Sequence, residues 1–312
     1  MTRYVQFLLG TCAAPRTDRW SAGVISRTAI RCAFVAFCLP GSGIVSADEW
    51  VPTKPLRFIL PFPPGGSTDL LARMIAPPLG KALGQQIVVD NRGGAGGVIA
   101  MEAIARAQPD GYTFGMPSLS AHAANATLVP KLPYDSVKNF QPLTFVGQSP
   151  LVLAVNPSNP AQSVQELISR AKATSRPINF ATGGIGLAAH IAGELMKLQA
   201  KADMVHVPYK GGGPAMTDVM GGQVETLFAP LSTVLPFVKS GKLRVLAVAG
   251  RQRSTHLPNV ATMSESGFPE FYILESWGLL APAGTPAAAV RRLRAEAVKV
   301  VQQPEIVDRL AA

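Results

Sequence analysis

From Leu56 onward, short apolar runs alternate with longer stretches whose apolar residues recur three or four positions apart. That alternation of periods predicts parallel sheets covered by helices. Leu56–Leu60 reads as a strand. Asp69–Leu83 reads as a helix with Leu71, Met74, Ile75 and Leu79 on one face, and Pro77-Pro78 is expected to kink or split it. Gln86–Val89 and Tyr112–Met116 are the next strands, with a helix between them that opens on the glycine-rich Asn91–Gly97 and runs to Arg106. Leu143–Val155 is an apolar run long enough to cross between two lobes. The pattern then restarts with helix Val164–Ala173, strand Ile178–Ala181, helix Leu187–Gln199, strand Met204–Val207 and a helix to Met220. Strand Val224–Ala229, a short helix and strand Leu243–Val248 follow. Phe271–Ala281 is a second long run suited to a return crossing, and Ala287–Val301 is an amphipathic helix. Two α/β lobes joined by two crossing strands form a layout that closes on a small ligand by a hinge. The expected division is 48–148 plus 273–312 for the first lobe and 149–272 for the second.

The organising stretch is Phe58–Met74, FILPFPPGGSTDLLARM. A strand ends, prolines stiffen the exit, Gly65-Gly66 allows a tight turn, and Ser67, Thr68 and Asp69 are expected helix caps. Such a turn places unpaired N–H groups at a sheet edge, where α/β proteins hold anions. The same device recurs: the strand-end loops at Pro63–Asp69, Gly93–Gly97, Ser118–His122, Thr182–Gly186, Tyr209–Gly213 and Pro230–Thr233 are rich in glycine or small hydroxyls. One helix N-terminus favours an anion by about 0.3–1 kcal/mol, up to about 2 when partly buried. Micromolar binding needs about 8 kcal/mol. Lobe closure, desolvation and several neutral hydrogen bonds must therefore supply the rest, and the expected guest is a small carboxylate held between the lobes.

The amino terminus changes the picture of what the mature chain contains. Arg27 and Arg31 precede the apolar Cys32–Leu39, and Val45-Ser46-Ala47 is an acceptable small-residue cleavage site, so residues 1–47 read as an export signal with an upstream extension. Residues 1–26 exceed what such a signal needs, as a start codon placed too far upstream would explain. Phe37 is too bulky for a lipid-attachment box at Cys38, so a freely soluble periplasmic protein is expected. Cys12, Cys32 and Cys38 all precede the proposed cleavage site, which leaves no thiolate nucleophile, disulfide or cysteine-ligated metal. Removing the five basic residues and one acidic residue of this segment takes the net charge from +10 to +6. That balance modestly favours encounter with anions. The basic residues are scattered without aromatic interleaving, which argues against nucleic acid. Hydrophobic residues make up 47% of the chain and charged residues 15%, a composition that supports a packed core. No apolar run approaches the roughly eighteen residues of a membrane span.

Few chemistries survive inspection. Gly184-Ile-Gly-Leu-Ala-Ala189 matches a dinucleotide fingerprint, but the next strand ends at Val207-Pro208-Tyr209, where an acidic residue would have to hold the ribose. There is no phosphate-loop lysine pattern, nucleophile elbow or zinc-protease motif. The four histidines, His122, His190, His206 and His256, are dispersed. His190 and Glu194 share a helix face, better suited to a stabilising pair than to a metal. No catalytic residue, cofactor or metal is expected.

Several segments in order resemble the tripartite tricarboxylate transporter receptors, the Bug-type extracytoplasmic solute-binding proteins. These are Pro61–Asp69, Asn91–Gly97, Lys131–Asp135, His206–Gly211, Pro214-Ala215, Gly241–Arg244 and Trp277–Pro286. The resemblance covers roughly Trp50 to the end. It implies a type II-like periplasmic-binding-protein fold with a cleft for a di- or tricarboxylate, acidic amino acid or aromatic acid. It also implies a monomer that, in some members, delivers its solute to a permease with large and small membrane subunits. A sensor receptor read by a signalling protein, or an enzyme acting on a small acid on the same scaffold, are the alternatives.

Carried over residue by residue, the resemblance implies a first-lobe carboxylate loop of Phe62, Pro64, Gly65, Gly66, Ser67, Thr68 and Asp69. It implies a second-lobe loop of Thr182, Gly183, Gly184 and Gly186. Ser118, Ser120 and His122 occupy a neighbouring loop, with Pro208, Tyr209 and Lys210 facing it. Lys210 reads equally well as a solvated loop lysine, and an acid at Asp69 stabilises the first turn of a helix with or without a ligand. Family chains continue beyond a point equivalent to Leu310-Ala311-Ala312 with a further helical segment, so exposed apolar surface is expected there. Ala229-Pro230 stands where the family is often more polar, which implies a preference for a less charged ligand.

Overall fold

The computed structural model describes residues 49–311; the expected export segment and all three cysteines lie outside them. The first strand, β1 (Leu56–Leu60), is buried at every position but the exposed Arg57, with apolar residues on both faces. Its Phe58 and Leu60 pack with α1 (Ser67–Leu83), α8 (Ala287–Val301) and α9 (Pro304–Ala311), through Ile75, Leu79, Leu293 and Leu310. Ile59 turns to the other side, toward Val98, Met101 and Ile104 of α2 (Val98–Ala105). In the same sheet, β1 lies between β2 (Ile87–Asn91) and β3 (Thr113–Gly115), parallel to both. The sheet continues through β9 (Leu274–Pro282), antiparallel to β3, into β4 (Phe140–Val155).

β4 joins the two halves of the molecule. Phe140–Pro150 pairs with β9, whereas Leu151–Val155 pairs with β7 (Thr226–Pro230) on one side and β8 (Arg244–Val248) on the other. Beyond β7 lie β5 (Ile178–Thr182) and β6 (Met204–Pro208), both parallel to it in direction. The return passes through Ile273, whose N–H donates to Ala249 O while its carbonyl accepts from Leu151 N–H. Two lobes joined by two crossing strands are thus present, as the two long apolar runs predict. The second lobe has its own cores. Leu151, Leu153, Phe180 and Phe228 pack with α4 (Val164–Thr174) and α5 (Ala188–Ala200). Val152, Ala154, Ala181 and Leu227 pack with α6 (Gly212–Met220) and α7 (Leu231–Lys239).

Two expectations need correction. α1 is not split at Pro77 and Pro78 but runs as one helix across them, with Ile75, Ala76 and Leu79 buried in one core on both sides of the missing N–H donors. Ser118–His122 is not a loop but the start of α3 (Leu119–Leu128), with the Ser118 hydroxyl accepting from Ala121 N–H at 3.3 Å. Downstream of α8, α9 buries Ile306 and Leu310 in the first-lobe core, and its opening Pro304 suits a first helical turn. Among the described residues no helix is long and apolar enough to cross a membrane.

Candidate functional site

The turn from β1 into α1 is held by an acid that points away from the cleft. Gly66, not Ser67, Thr68 or Asp69, occupies the N-cap, and no side chain caps the helix there. Asp69 reaches back to accept from Gly65 N–H at 3.0 Å, from Arg73 Nε at 3.0 Å to both oxygens, and from Asn91 Nδ2 at 3.0 Å. Asn91 also donates to Phe62 O at 2.9 Å, so one acid and one amide fix the whole turn. Burial pushes the Asp69 carboxyl up, but these hydrogen bonds and the Arg73 charge outweigh it and hold the group below the usual carboxylate range. With Gly66 offering no side chain, the first N–H groups of α1 have no side-chain cap.

The second-lobe turn is held without charge. Thr182 is fully buried; its hydroxyl donates to Gly184 O at 3.3 Å, accepts from Gly184 N–H at 3.2 Å and lies 2.6 Å from His206 Nε2. His206 stacks on His190 with ring centroids 4.3 Å apart, and Gly186 N–H donates to His190 Nδ1 at 3.4 Å. Burial, with the neighbouring His190, drives the His206 imidazole down to about 4, so the ring is neutral at physiological pH. Leu187 stands at the N-cap of α5 without a side-chain cap, and Ala188 N–H donates to Ser120 Oγ of the first lobe at 3.1 Å. α6 and α7 likewise start without side-chain caps, at Gly211 and Pro230.

The two turns meet. A Cβ placed on Gly66 would lie 3.6 Å from Gly212 N, and one on Gly213 would lie 3.4 Å from Pro64 O, so the two turns approach to within van der Waals contact of each other. Between them is a cavity of about 40 Å³. Since about 10–15 Å³ holds one water, there is room for a few small groups. The first lobe lines it with Phe62, Gly66, Ser67, Thr68, Ser118 and Glu275. The second contributes Gly183, Leu187, Ala189, Gly212, Phe228, Ala229 and Pro230. The N-termini of α1, α3, α5, α6 and α7 therefore converge on one small space. A larger open depression of about 830 Å³ lies elsewhere, along the C-terminal half of α1 and the exposed β2 edge, and no helix N-terminus converges on it.

Glu275, buried to 4% exposure, is the one ionisable residue in the cavity lining. Its Oε1 accepts from Ser118 Oγ at 2.6 Å, from Ser276 N–H at 3.2 Å and from Ser120 Oγ at 3.3 Å. Burial pushes its carboxyl up to about 7, against the opposing pull of the bonds from Ser118, Ser276 N–H and Ser120. Trp277, two residues on, is fully buried and donates its indole N–H to Thr68 Oγ1 at 3.2 Å, which ties β9 to the first turn of α1.

Of the residues singled out in the sequence, Phe62, Gly66, Ser67, Thr68, Ser118 and Gly183 line the cavity, as do Ala229 and Pro230. Ser120 contacts it through Glu275, and Thr182, Gly184 and Gly186 shape the turn beside it. The others lie off it. Pro64, Gly65 and Tyr209 border a separate outer depression, where the Tyr209 hydroxyl donates to Asp218 Oδ2 at 2.6 Å. Pro208 and Lys210 are exposed, and Asp69 faces Arg73 and Asn91. His122 packs edge-on to Phe140 and donates from Nε2 to Ser136 O at 2.9 Å. Sequence reasoning missed Glu275, Leu187, Ala189 and Phe228, and named Gly212 only as part of the loop Tyr209–Gly213. Only Glu275 left a signal, as a lone acid inside the apolar run Phe271–Ala281.

Comparison with known proteins gives a consistent set of matches. The description of one family, "Tripartite tricarboxylate transporter family receptor", matches residues 71–312. Protein BugT of Bordetella pertussis is 41% identical over 269 residues, covering 86% of this chain and 82% of that protein. The structure of MatC from Rhodopseudomonas palustris with bound malate is 32% identical, with a TM-score of 0.78 over 83% of this chain and 88% of that one. A second R. palustris structure, with adipate, is also 32% identical, with a TM-score of 0.79 over 83% and 87%.

Proposed function

Because this chain belongs to the tripartite tricarboxylate transporter family of receptors, we propose that it is an exported receptor that encloses a small carboxylated solute in the cavity between its lobes. The observation that carries this is the convergence of uncapped helix N-termini from both lobes on one cavity, with no lysine, arginine or histidine in its lining. Backbone dipoles aimed at one enclosed space are an anion site without a counter-charge. One carboxylate would rest against the N–H groups of Ser67, Thr68 and the Gly183 turn, with Phe62, Leu187 and Phe228 excluding water. MatC with malate and the adipate-bound relative support a short organic acid as the class of guest.

In this reading the lobes divide at 48–148 plus 273–312 and 149–272, with β4 and the Ile273 crossing as the hinge. A cavity this small, sealed by glycines in contact, is a closed form; solute enters when the lobes part. Residues 1–47 are the cleaved export signal, and the closed monomer in the periplasm is presented to a permease with large and small membrane subunits. No bond is made or broken in the solute. The test is thermal unfolding with a panel that includes malate and adipate. A bound acid at a hundredfold excess over Kd should add about 2.7 kcal/mol of stability and be recovered chemically unchanged. A panel in which no acid raises the melting temperature, or in which the bound acid is consumed, would sink the proposal.

A further inference from the structure

A carboxylate receptor whose own lining contains a carboxylate poses a charge problem, and its placement suggests the answer. We infer that Glu275 is a specificity residue that selects a solute with a hydrogen-bond donor (amide, hydroxyl or ammonium) at the end away from its bound carboxylate, and that disfavours a second ionised carboxylate there. The inference rests on the proposed function above and names the class of ligand for that same cavity.

The geometry leaves one oxygen of Glu275 free for a ligand. Oε1 takes the Ser118, Ser276 and Ser120 donors, whereas Oε2 has only a 3.5 Å contact from Ser120 Oγ. A buried carboxylate oxygen with capacity left over gains most from a donor brought in by the guest. None of the packed elements answers the charge. From α3 it meets Ser118 and Ser120, and Ser149 is its pairing partner on β4. α1 supplies Ser67 and Thr68, and the second lobe supplies Gly183, Leu187, Ala189, Gly212 and the apolar end of β7. None of these titrates, and the nearby Asp69 is committed to Arg73 and Asn91. A second ligand carboxylate beside Glu275 would set two like charges in a water-poor space, which costs affinity unless one takes up a proton. The raised titration of Glu275 agrees with that account, since lowering the pH would convert the acceptor into a donor.

The test uses two isosteric pairs, succinate with succinamate and adipate with adipamate, measured by calorimetry on the purified protein. At about pH 8 the monoamide of the better-fitting pair should bind about tenfold more tightly than its diacid. Glu275→Gln, which can donate as well as accept, should bring that ratio to about one or invert it. A native protein that prefers the diacid, or a Glu275→Gln variant with an unchanged ratio, overturns the inference while leaving a carboxylate receptor intact. If neither these four probes nor malate binds the native protein, the receptor proposal itself fails and takes this inference with it. Should Glu275→Gln not fold, the native protein decides alone. The monoamide preference should shrink as pH falls from about 8 to about 6.5, and a ratio flat across that range overturns the inference.

Discussion

The turn from β1 into α1 is anchored by charge, whereas its counterpart from β5 toward α5 is anchored by neutral groups. Both are glycine turns that feed a helix N-terminus into one cavity, yet Asp69, Arg73 and Asn91 hold the first and Thr182, His206 and His190 hold the second. In each lobe the bracing groups hold the turn without capping the helix that follows it. The contrast lies in what would loosen each brace, and therefore in how each lobe responds to substitution and to acid.

The largest expected effect is on the charged brace. Asp69→Ala strips partners from Gly65 N–H, Asn91 and Arg73, and should lower unfolding stability by about 2–3 kcal/mol in urea titration. A loss below about 0.5 kcal/mol would mean that the turn holds its shape without the acid. Next comes the contact between the two turns. Gly66 has φ −86°, which other residues adopt, but side-chain atoms beyond Cβ would meet Gly212. Gly66→Val should therefore weaken solute binding by about tenfold while Gly66→Ala changes it little. Equal effects of the two would show that the lobes do not close at this point.

On the neutral brace, Thr182→Val keeps the volume and removes the hydroxyl that serves Gly184 and His206, at a cost of about 1–2 kcal/mol read from the same titration. The smallest and sharpest distinction is in pH. His206 is held at about 4 in the fold against about 6.5 when unfolded, so the unfolded chain binds the extra proton. Its contribution is complete above about pH 6.5 and is lost as pH falls toward about 4. The Asp69 contribution is complete above about pH 3.9 and is lost only as pH falls further, through its lowered folded value. His206→Gln should remove this rise of stability with pH between about 4 and 6.5 and leave the opposite slope that the raised Glu275 carboxyl adds there, whereas Asp69→Asn should change only the profile below about pH 3.9. A single slope abolished by either change would contradict two separate braces.

The pattern of apolar and polar positions settled a good deal. Alternating periods, two overlong apolar runs and repeated glycine turns are local properties, and they gave the two-lobed α/β class, the crossing strands and the turns at Gly65-Gly66 and Gly183-Gly184 from neighbouring residues alone. Local propensity failed where packing overrode it. α1 runs through two prolines because its buried face is anchored on both sides of them, and α3 starts at a serine whose hydroxyl serves both its own helix and a residue 157 positions away. Asp69 was legible as an acid beside a helix N-terminus, but its direction depends on Asn91, which comes from the end of another strand. Glu275 belonged to a strand by every local measure. That it faces a cavity closed by Gly212, Leu187 and Phe228 follows only from the pairing of β4 with both sheets, which brings chain ends far apart in sequence into one space. Sequence determines which backbone N–H groups are left unpaired at each turn, because that is a matter of adjacent residues. Which turns face one another, and what charge stands between them, is decided by long-range strand pairing and the burial it enforces.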